Sequence, residues 1–177
     1  AFFMDNRGEL AFRHNGDAND ISLNLSYLHS RFNYYGNRFG NEAFFNEENQ
    51  RLGVLQASLG VASKESDLLN YKGSLNLKNF STGLDYPASS DPLRGNEIQI
   101  MAGFDKPFRN SSSKVGIDGS LTTALYGDDW NNYMLVNAAP YLRFGGLNRS
   151  ARLGADILFQ TGNKTRVRVV PNIALRM

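Results

Sequence analysis

Cysteine is absent from the 177 residues, and histidine occurs only at His14 and His29. The missing cysteines exclude a disulfide framework, a thiolate zinc site and a cysteine nucleophile. The longest uninterrupted apolar stretches are a few residues, far short of the roughly 20 that a membrane-spanning helix needs. The formal charge of +2 is too small and too dispersed for a nucleic-acid surface. We therefore expect neither a transmembrane helix nor a nucleic-acid partner.

Few residues are available for catalysis. A catalytic site needs a nucleophile with a base, or a metal cluster. The two histidines lie in different predicted strands, and a turn histidine is a simpler reading of His14 than a hydrolase site built with Asp17 or Asp20. The segment 17–20, Asp-Ala-Asn-Asp, is similar to the start of a calcium loop but lacks its glycine and its distant bidentate glutamate. We predict no enzyme activity, no metal site and no cofactor.

The length suits one domain, so residues 1–177 are interpreted as a single domain or part of one. The first residues do not resemble a signal peptide, because Asp5 and Arg7 fall where its apolar stretch would lie. The chain is therefore expected to be cytoplasmic, or else a mature or excised piece of an exported protein.

Apolar residues recur at every second position along most of the chain. Between residues 69 and 80, for example, Tyr71, Leu75 and Leu77 fall on one face, and lysine, serine and asparagine fall on the other. Such alternation predicts a strand with one apolar and one polar side. No window of comparable length has capped helical spacing, so we predict an all-β fold. Nine segments are predicted as strands: Gly8–His14, Asp20–Tyr34, Gln50–Ser63, Leu69–Phe80, Glu97–Asp105, Lys114–Leu125, Tyr133–Phe144, Ala151–Gln160 and Thr165–Met177.

The connections between these strands roughly alternate in length. Short turns rich in glycine, asparagine, aspartate and serine contrast with long loops at 36–49 and 83–96. This alternation of lengths predicts an antiparallel up-and-down sheet in which the short turns lie at one end and the long loops at the other. Pro140 and Pro171 fall inside two strands, where each removes one hydrogen-bond donor.

Strand length and aromatic residues indicate which way the apolar side faces. The predicted strands, of about 10 to 13 residues, exceed the usual five or six of soluble proteins and match the 9 to 11 tilted residues that cross a bilayer. Aromatic residues gather near strand ends, as in the girdles that flank membrane barrels. The predicted membrane-interface aromatics are Tyr27, Tyr71, Tyr126, Trp130, Tyr133 and Phe159.

Amphipathic strands of about ten residues, Asn/Gly/Asp turns and aromatic-ended strands resemble the outer-membrane β-barrels of Gram-negative bacteria, nearest to barrels of the porin and TonB-dependent-receptor type. The resemblance implies an antiparallel transmembrane barrel in the bacterial outer membrane, with lipid and lipopolysaccharide as partners and the long loops outside the cell. It contains no diagnostic motif and carries no functional residue with it. Two features depart from the family: the strand count is odd, and the chain ends on 174–177, Ala-Leu-Arg-Met, rather than on an aromatic residue. We interpret the chain as about 8–10 strands, part of a larger barrel or a narrow complete one.

The polar side of the strands carries full charges, which a water-filled lumen would tolerate. Rings of arginine and lysine favour anionic solutes in pores, so a small anionic solute is the predicted cargo. Arg143 and Arg176 belong to the same basic set on the polar side, and because they lie near strand ends, lipid headgroups or lipopolysaccharide phosphates are their alternative partners. The predicted lumen-lining residues are Lys72, Lys78, Lys114, Asp118, Arg152, Asp156, Arg166 and Arg168.

These observations favour a passive channel, or the barrel wall of a transporter, that selects by lumen width and charge. A second hypothesis is a structural or adhesive barrel that does not transport, whose long loops bind a surface partner or a further subunit. A third is a soluble β-sandwich binding module, in which Trp130, Tyr133 and Tyr126 form a platform that stacks on sugars.

Overall fold

The computed structural model describes residues 3–33, 49–66, 68–84, 93–108, 112–127, 132–145, 149–162 and 164–176. Most of the two long predicted loops, and Trp130, lie outside these ranges. The described residues contain no helix, so none is long and apolar enough to cross a membrane. They form nine strands: β1 (Phe3–Asn15), β2 (Asn19–Asn33), β3 (Asn49–Ser63), β4 (Asn70–Leu84), β5 (Leu93–Pro107), β6 (Lys114–Tyr126), β7 (Tyr133–Gly145), β8 (Ser150–Thr161) and β9 (Arg166–Arg176).

All nine strands belong to one antiparallel sheet, in which each strand pairs with the next one along the chain. The predicted all-β, up-and-down architecture is confirmed, and each predicted segment overlaps one observed strand. The sheet is open, because the described residues of β1 and β9 make no contact with each other. Since nine is odd, these two edge strands run in the same direction. The architecture is compatible with the wall of a barrel.

Several strands are longer than the alternation predicts. The segment predicted at 97–105 extends to Leu93–Pro107, because β5 continues to pair with β4 beyond it, where Arg94 lies opposite Ser81. Ladder hydrogen bonds join backbone groups and need no apolar side chain, so pairing outlasts the alternating pattern. Pro140 and Pro171 both lie within strands, as expected. Pro140 lies opposite Ile117, and Pro171 lies opposite Ala155 on the edge strand β9.

The sheet has two chemically distinct faces, because successive side chains of a strand point to opposite sides. We name the two faces by their central rows, in which each residue is in register with the next. The apolar face carries the row Phe12, Leu23, Leu59, Leu75, Ile100, Leu121, Val136, Phe159 and Val167. The polar face carries the adjacent row Ala11, Asn24, Ser58, Asn76, Gln99, Thr122, Leu135, Gln160 and Arg166.

Burial is greatest on the polar face. The buried residues among those described all lie there: Ser30, Gly95, Gly103, Ala124 and Ala139. In contrast, Leu59 and Ile100 on the apolar face are 48% and 44% exposed. Strand contacts within the described residues join only neighbours in the sheet, so no other element covers the apolar face. The described residues therefore form no hydrophobic core of the usual kind, and their large aliphatic side chains lie on an open surface.

The apolar band crosses the strands obliquely. Its run in β2 is centred on Asn24, between Ile21 and Tyr27, whereas its run in β9 is centred on Pro171. Asn24 is in register with Arg166, which precedes Pro171 by five positions. The apolar band is therefore displaced by five residues along the strands between β2 and β9. With strands about 4.8 Å apart and a rise of about 3.4 Å per residue, the strands are inclined by about 30° to the direction perpendicular to the band.

Candidate functional site

All eight predicted lumen-lining residues lie on the polar face, and four of them meet near the short-turn end of the sheet. These four are Lys72, Lys114, Asp118 and Arg152. Lys78 lies toward the opposite end of β4, and Arg166 and Arg168 lie on the edge strand β9. That this face lines a lumen stays a prediction.

Asp118 bridges two cations that come from different strands. Its Oδ1 atom lies 3.0 Å from Lys72 Nζ, and its Oδ2 atom accepts a hydrogen bond of 3.0 Å from Arg152. Lys72 reaches from β4 to β6 across Gly103, which lies between them in register. A Cβ at Gly103 would overlap the side chains of both Lys72 and Asp118, so glycine makes this bridge sterically accessible.

Tyr141 forms the floor beneath Arg152. Its register partners on the two neighbouring strands are Gly116 and Gly154, so neither strand has a side chain directly opposite Tyr141. A Cβ at Gly116 would come within 2.5 Å of Tyr141 Cζ and 2.8 Å of the Phe104 carbonyl oxygen. The Arg152 guanidinium lies 3.9 Å from the centre of the ring, in a cation–π contact. The ring and Asp118 together fix the position of Arg152.

The other carboxylates of this region also have partners. Asp105 lies 3.0 Å from Lys114 Nζ and accepts a hydrogen bond of 3.2 Å from the Asn70 amide. Asp156 accepts hydrogen bonds of 3.2 and 3.3 Å from the Asn172 amide. The carboxylates of this part of the polar face are therefore paired with cations or amides.

Cations outnumber carboxylates around a cleft of about 330 Å³ at this end of the face. We call it the basic cleft; its charged lining has a formal charge of +3, and Tyr141 lies among its walls. Arg143 and Arg176, which the sequence assigns to the polar face, both line it, and contact of these two side chains with lipid headgroups stays a prediction. The charged residues of the basic cleft are Lys72, Lys114, Arg143, Arg152, Arg176, Asp105 and Asp118.

Aromatic side chains lie at both faces of the sheet. Tyr27, Tyr71 and Phe159 lie on the apolar face, as a lipid-facing girdle requires. Tyr126 and Tyr133 lie on the polar face instead, with their ring centres 6.4 Å apart. These two tyrosines are therefore not placed where a girdle would be, and Trp130 lies outside the described residues.

Phe80 joins the two tyrosines in an aromatic cluster at the long-loop end of the polar face. The centres of the Phe80 and Tyr126 rings are 6.0 Å apart, in an edge-to-face arrangement. Gly95 lies between these two residues in register, and a Cβ there would overlap the Phe80 ring. The sugar-stacking role predicted for Tyr126 and Tyr133 stays a prediction.

The charges of the strands are divided between the two faces. All seven acidic residues of the strands lie on the polar face, together with most of the basic ones. The apolar face carries four basic residues, and each is within three positions of a strand end. They are Arg31, Arg51, Arg94 and Lys106.

The histidines lie on the apolar face and apart from the basic cleft. Within the described part of the chain, no group of three or more histidine, aspartate or glutamate side chains could hold a metal ion. The absence of a catalytic or metal site stays a prediction.

No protein-family model matches the chain, and no curated protein sequence matches it. The family resemblance inferred from the strand pattern therefore has no homologue to support it. Any function has to be argued from the faces of the sheet and from the side chains they carry.

Sequence reasoning missed the part that Tyr141 plays in the basic cleft. The signal that identifies it is the pair of glycines beside it, Gly116 and Gly154, and these become neighbours of Tyr141 only once the register is known. Similarly, the link from Lys72 to Asp118 depends on Gly103 lying between them. Charge and alternation place such residues on a face, but they do not say which of them meet.

Proposed function

We propose that the chain forms part of the wall of a β-barrel in the bacterial outer membrane, as a passive channel or as the barrel wall of a transporter for small solutes. The observation that carries this proposal is the in-register apolar row from Phe12 to Val167. It crosses all nine strands, no other described strand covers it, and the adjacent row on the opposite face is mostly polar.

The size of the apolar face argues for hydrocarbon as its surroundings. Nine strands spaced by about 4.8 Å make a continuous apolar surface almost 40 Å wide. Soluble monomers rarely expose apolar patches larger than a few hundred Å², and each large aliphatic side chain left in water forgoes about 1.5–3 kcal/mol. Lipid chains cover such a surface without any specific partner, whereas a soluble sandwich needs a second sheet that the described residues do not supply.

The positions of the charges support the same orientation. Basic side chains near strand ends extend to lipid headgroups, while a charge at mid-depth on the lipid side is costly. Arg31 and Arg51 lie directly opposite each other at the long-loop end, with Arg94 at the same end of β5. Lipid phosphates or lipopolysaccharide phosphates would neutralise this pair of like charges, which water alone would leave repelling.

The polar face suits a wet lumen. Across it, the Asn76 and Gln99 amides are hydrogen-bonded at 3.3 Å, and Lys78 lies 3.4 Å from Glu97. The inclination of the band, about 30°, is close to the strand tilt of about 35–45° in transmembrane barrels. Closing a cylinder requires additional strands between β1 and β9, supplied by more of the same polypeptide or by other copies, or else a parallel pairing of these two edges.

The experiment is fractionation followed by bilayer recording. We expect the protein to be extracted from membranes only with detergent, to change electrophoretic mobility on boiling, and to conduct ions in a planar lipid bilayer. Detergent extraction without conductance would contradict the channel and leave the structural or adhesive barrel. A protein that is monomeric and freely soluble without detergent would overturn the membrane assignment altogether.

A further inference from the structure

Three cations stand side by side in the basic cleft. Lys114, Arg143 and Arg152 are direct register partners on β6, β7 and β8, so their side chains point from neighbouring strands to the same face. Like charges directly opposite each other destabilise a sheet. A folded chain that keeps three of them in a row carries an electrostatic cost that a bound anion would relieve.

The two outer cations are partly neutralised, but the central one is not. Lys114 pairs with Asp105 at 3.0 Å, and Arg152 pairs with Asp118 at 3.0 Å. Arg143 forms no ion pair with any described residue. Its guanidinium therefore keeps its full hydrogen-bonding capacity, in a cleft where Arg176 adds a further positive charge.

Arg152 is held in a geometry that suits an oxyanion. The Tyr141 ring supports its guanidinium from one side at 3.9 Å, and Asp118 accepts a hydrogen bond from one of its terminal nitrogens. Its Nε atom is buried and has no hydrogen-bond partner among the described residues. A buried N–H group without an acceptor costs free energy.

We propose that the basic cleft binds the phosphoryl group of a small soluble solute, with Arg143 as its principal ligand and with Lys114 and Arg152 on either side. Arginine matches tetrahedral oxyanions through two parallel hydrogen bonds, and lysine adds a point charge. A volume of about 330 Å³ holds a phosphate together with a small organic group. This inference deepens the proposed channel by naming its solute class, because a phosphoryl site on the polar face would concentrate phosphorylated solutes at the short-turn end.

The test is direct binding by the purified protein in detergent micelles, with inorganic phosphate and then glycerol phosphate as probes in an isothermal titration at low salt. Arg143→Gln is expected to weaken binding of both probes at least about tenfold, since hydrogen bonds to charged groups dominate such sites. Arg143→Lys, which keeps the charge but not the paired donors, should lie between. The matched control is Arg13→Gln, which removes an arginine of the same face at the same end of the sheet, six strands away.

Two further measurements keep the outcomes separate. Phosphate should raise the melting temperature of the wild type but not that of Arg143→Gln, which also reports whether the variant folds. Short-chain phosphatidylglycerol added to the micelles should not compete with phosphate, and competition would assign the cleft to a lipid headgroup instead. Equal weakening by Arg143→Gln and Arg13→Gln would overturn the site. Absent phosphate binding with intact conductance would overturn the site alone, whereas binding without conductance would overturn the channel alone.

Discussion

The two faces of the sheet are built from the same strands, yet the size, exposure and pairing of their side chains differ. On the apolar face, large aliphatic side chains lie side by side with no other described strand above them, and Leu59 is nearly half exposed. On the polar face, glycine and alanine form a buried floor beneath ion pairs, hydrogen bonds and rings. The clearest examples are Gly103, next to Lys72 and Asp118, and Gly95, next to Phe80 and Tyr126.

This difference indicates where each face finds its stability. On the polar face, the carboxylates of β5, β6 and β8 pair with cations or amides of other strands, so part of its stability comes from the chain itself. The apolar face gains nothing from the chain itself beyond contacts along its own surface, so its stability depends on the surrounding medium. Substitutions that exchange one face for the other, ordered below by expected effect, test this division.

The largest effect is expected from a charge placed on the apolar face. Leu59→Lys puts an ammonium group in the central row of the apolar face, and a lysine at the midplane of a bilayer costs about 2–4 kcal/mol. The free energy of unfolding should fall by this amount, measured by urea titration of protein folded into lipid vesicles. The protein has to be inserted, because the cost arises from hydrocarbon and not from neighbouring side chains.

The matched control is the adjacent residue of the same strand. Ser58→Lys introduces the same side chain on the polar face, between Asn24 and Asn76, and is expected to change the free energy of unfolding by less than about 0.5 kcal/mol. Equal destabilisation by the two substitutions would show that the apolar face does not contact lipid. The comparison isolates the face, since strand, depth and introduced charge are the same.

A methyl group added to each face should also have unequal effects. Gly116→Ala places a Cβ against the Tyr141 ring and the Phe104 carbonyl oxygen, whereas Gly119→Ala places one on the apolar face, at least 3.6 Å from its nearest atoms. We expect the first to cost about 1–3 kcal/mol through overpacking, and the second to be neutral or slightly stabilising. Thermal unfolding of both variants measures the difference, and a neutral Gly116→Ala would mean that Tyr141 is not held against the sheet.

Removal of the bridging carboxylate should have a smaller effect. Asp118→Asn leaves Lys72 and Arg152 without their shared counter-ion, and we expect a loss of about 1–2 kcal/mol, because the group is partly exposed and the cost is below that of a fully buried pair. Glu97→Gln, which breaks the single and more exposed pair with Lys78, should cost less than about 0.5 kcal/mol. Denaturant titrations that gave the opposite order would contradict a central role for Asp118.

The alternating pattern of the sequence predicts most of the division of side chains between the two faces, but it gives no information about contacts between strands. Alternation at Ile98 and Ile100 was sufficient to find β5 and to assign its two faces. Alternation is less informative near strand ends. The prediction that Tyr126 and Tyr133 lie at the membrane interface rests on their position along the strand and not on the face to which they belong. The contacts of the basic cleft cannot be predicted from alternation. Tyr141 lies next to Gly116 and Gly154 only because separate segments pair in a particular register, and no single segment specifies that register.

The smallest expected effect is a gain of stability at the basic cleft. If Arg143 is retained for binding and not for folding, its removal relieves repulsion from Lys114 and Arg152, and each directly opposed pair contributes about 0.2–1 kcal/mol. In phosphate-free buffer, Arg143→Gln should therefore raise the free energy of unfolding by a few tenths of a kcal/mol. Arg13→Gln should not, because the residue opposite Arg13 is Ser22. Saturating phosphate should reverse the order of wild type and Arg143→Gln, since only the wild type gains binding energy. A variant that is less stable than the wild type in both buffers would mean that Arg143 supports the fold, and the cationic row would then need a structural explanation.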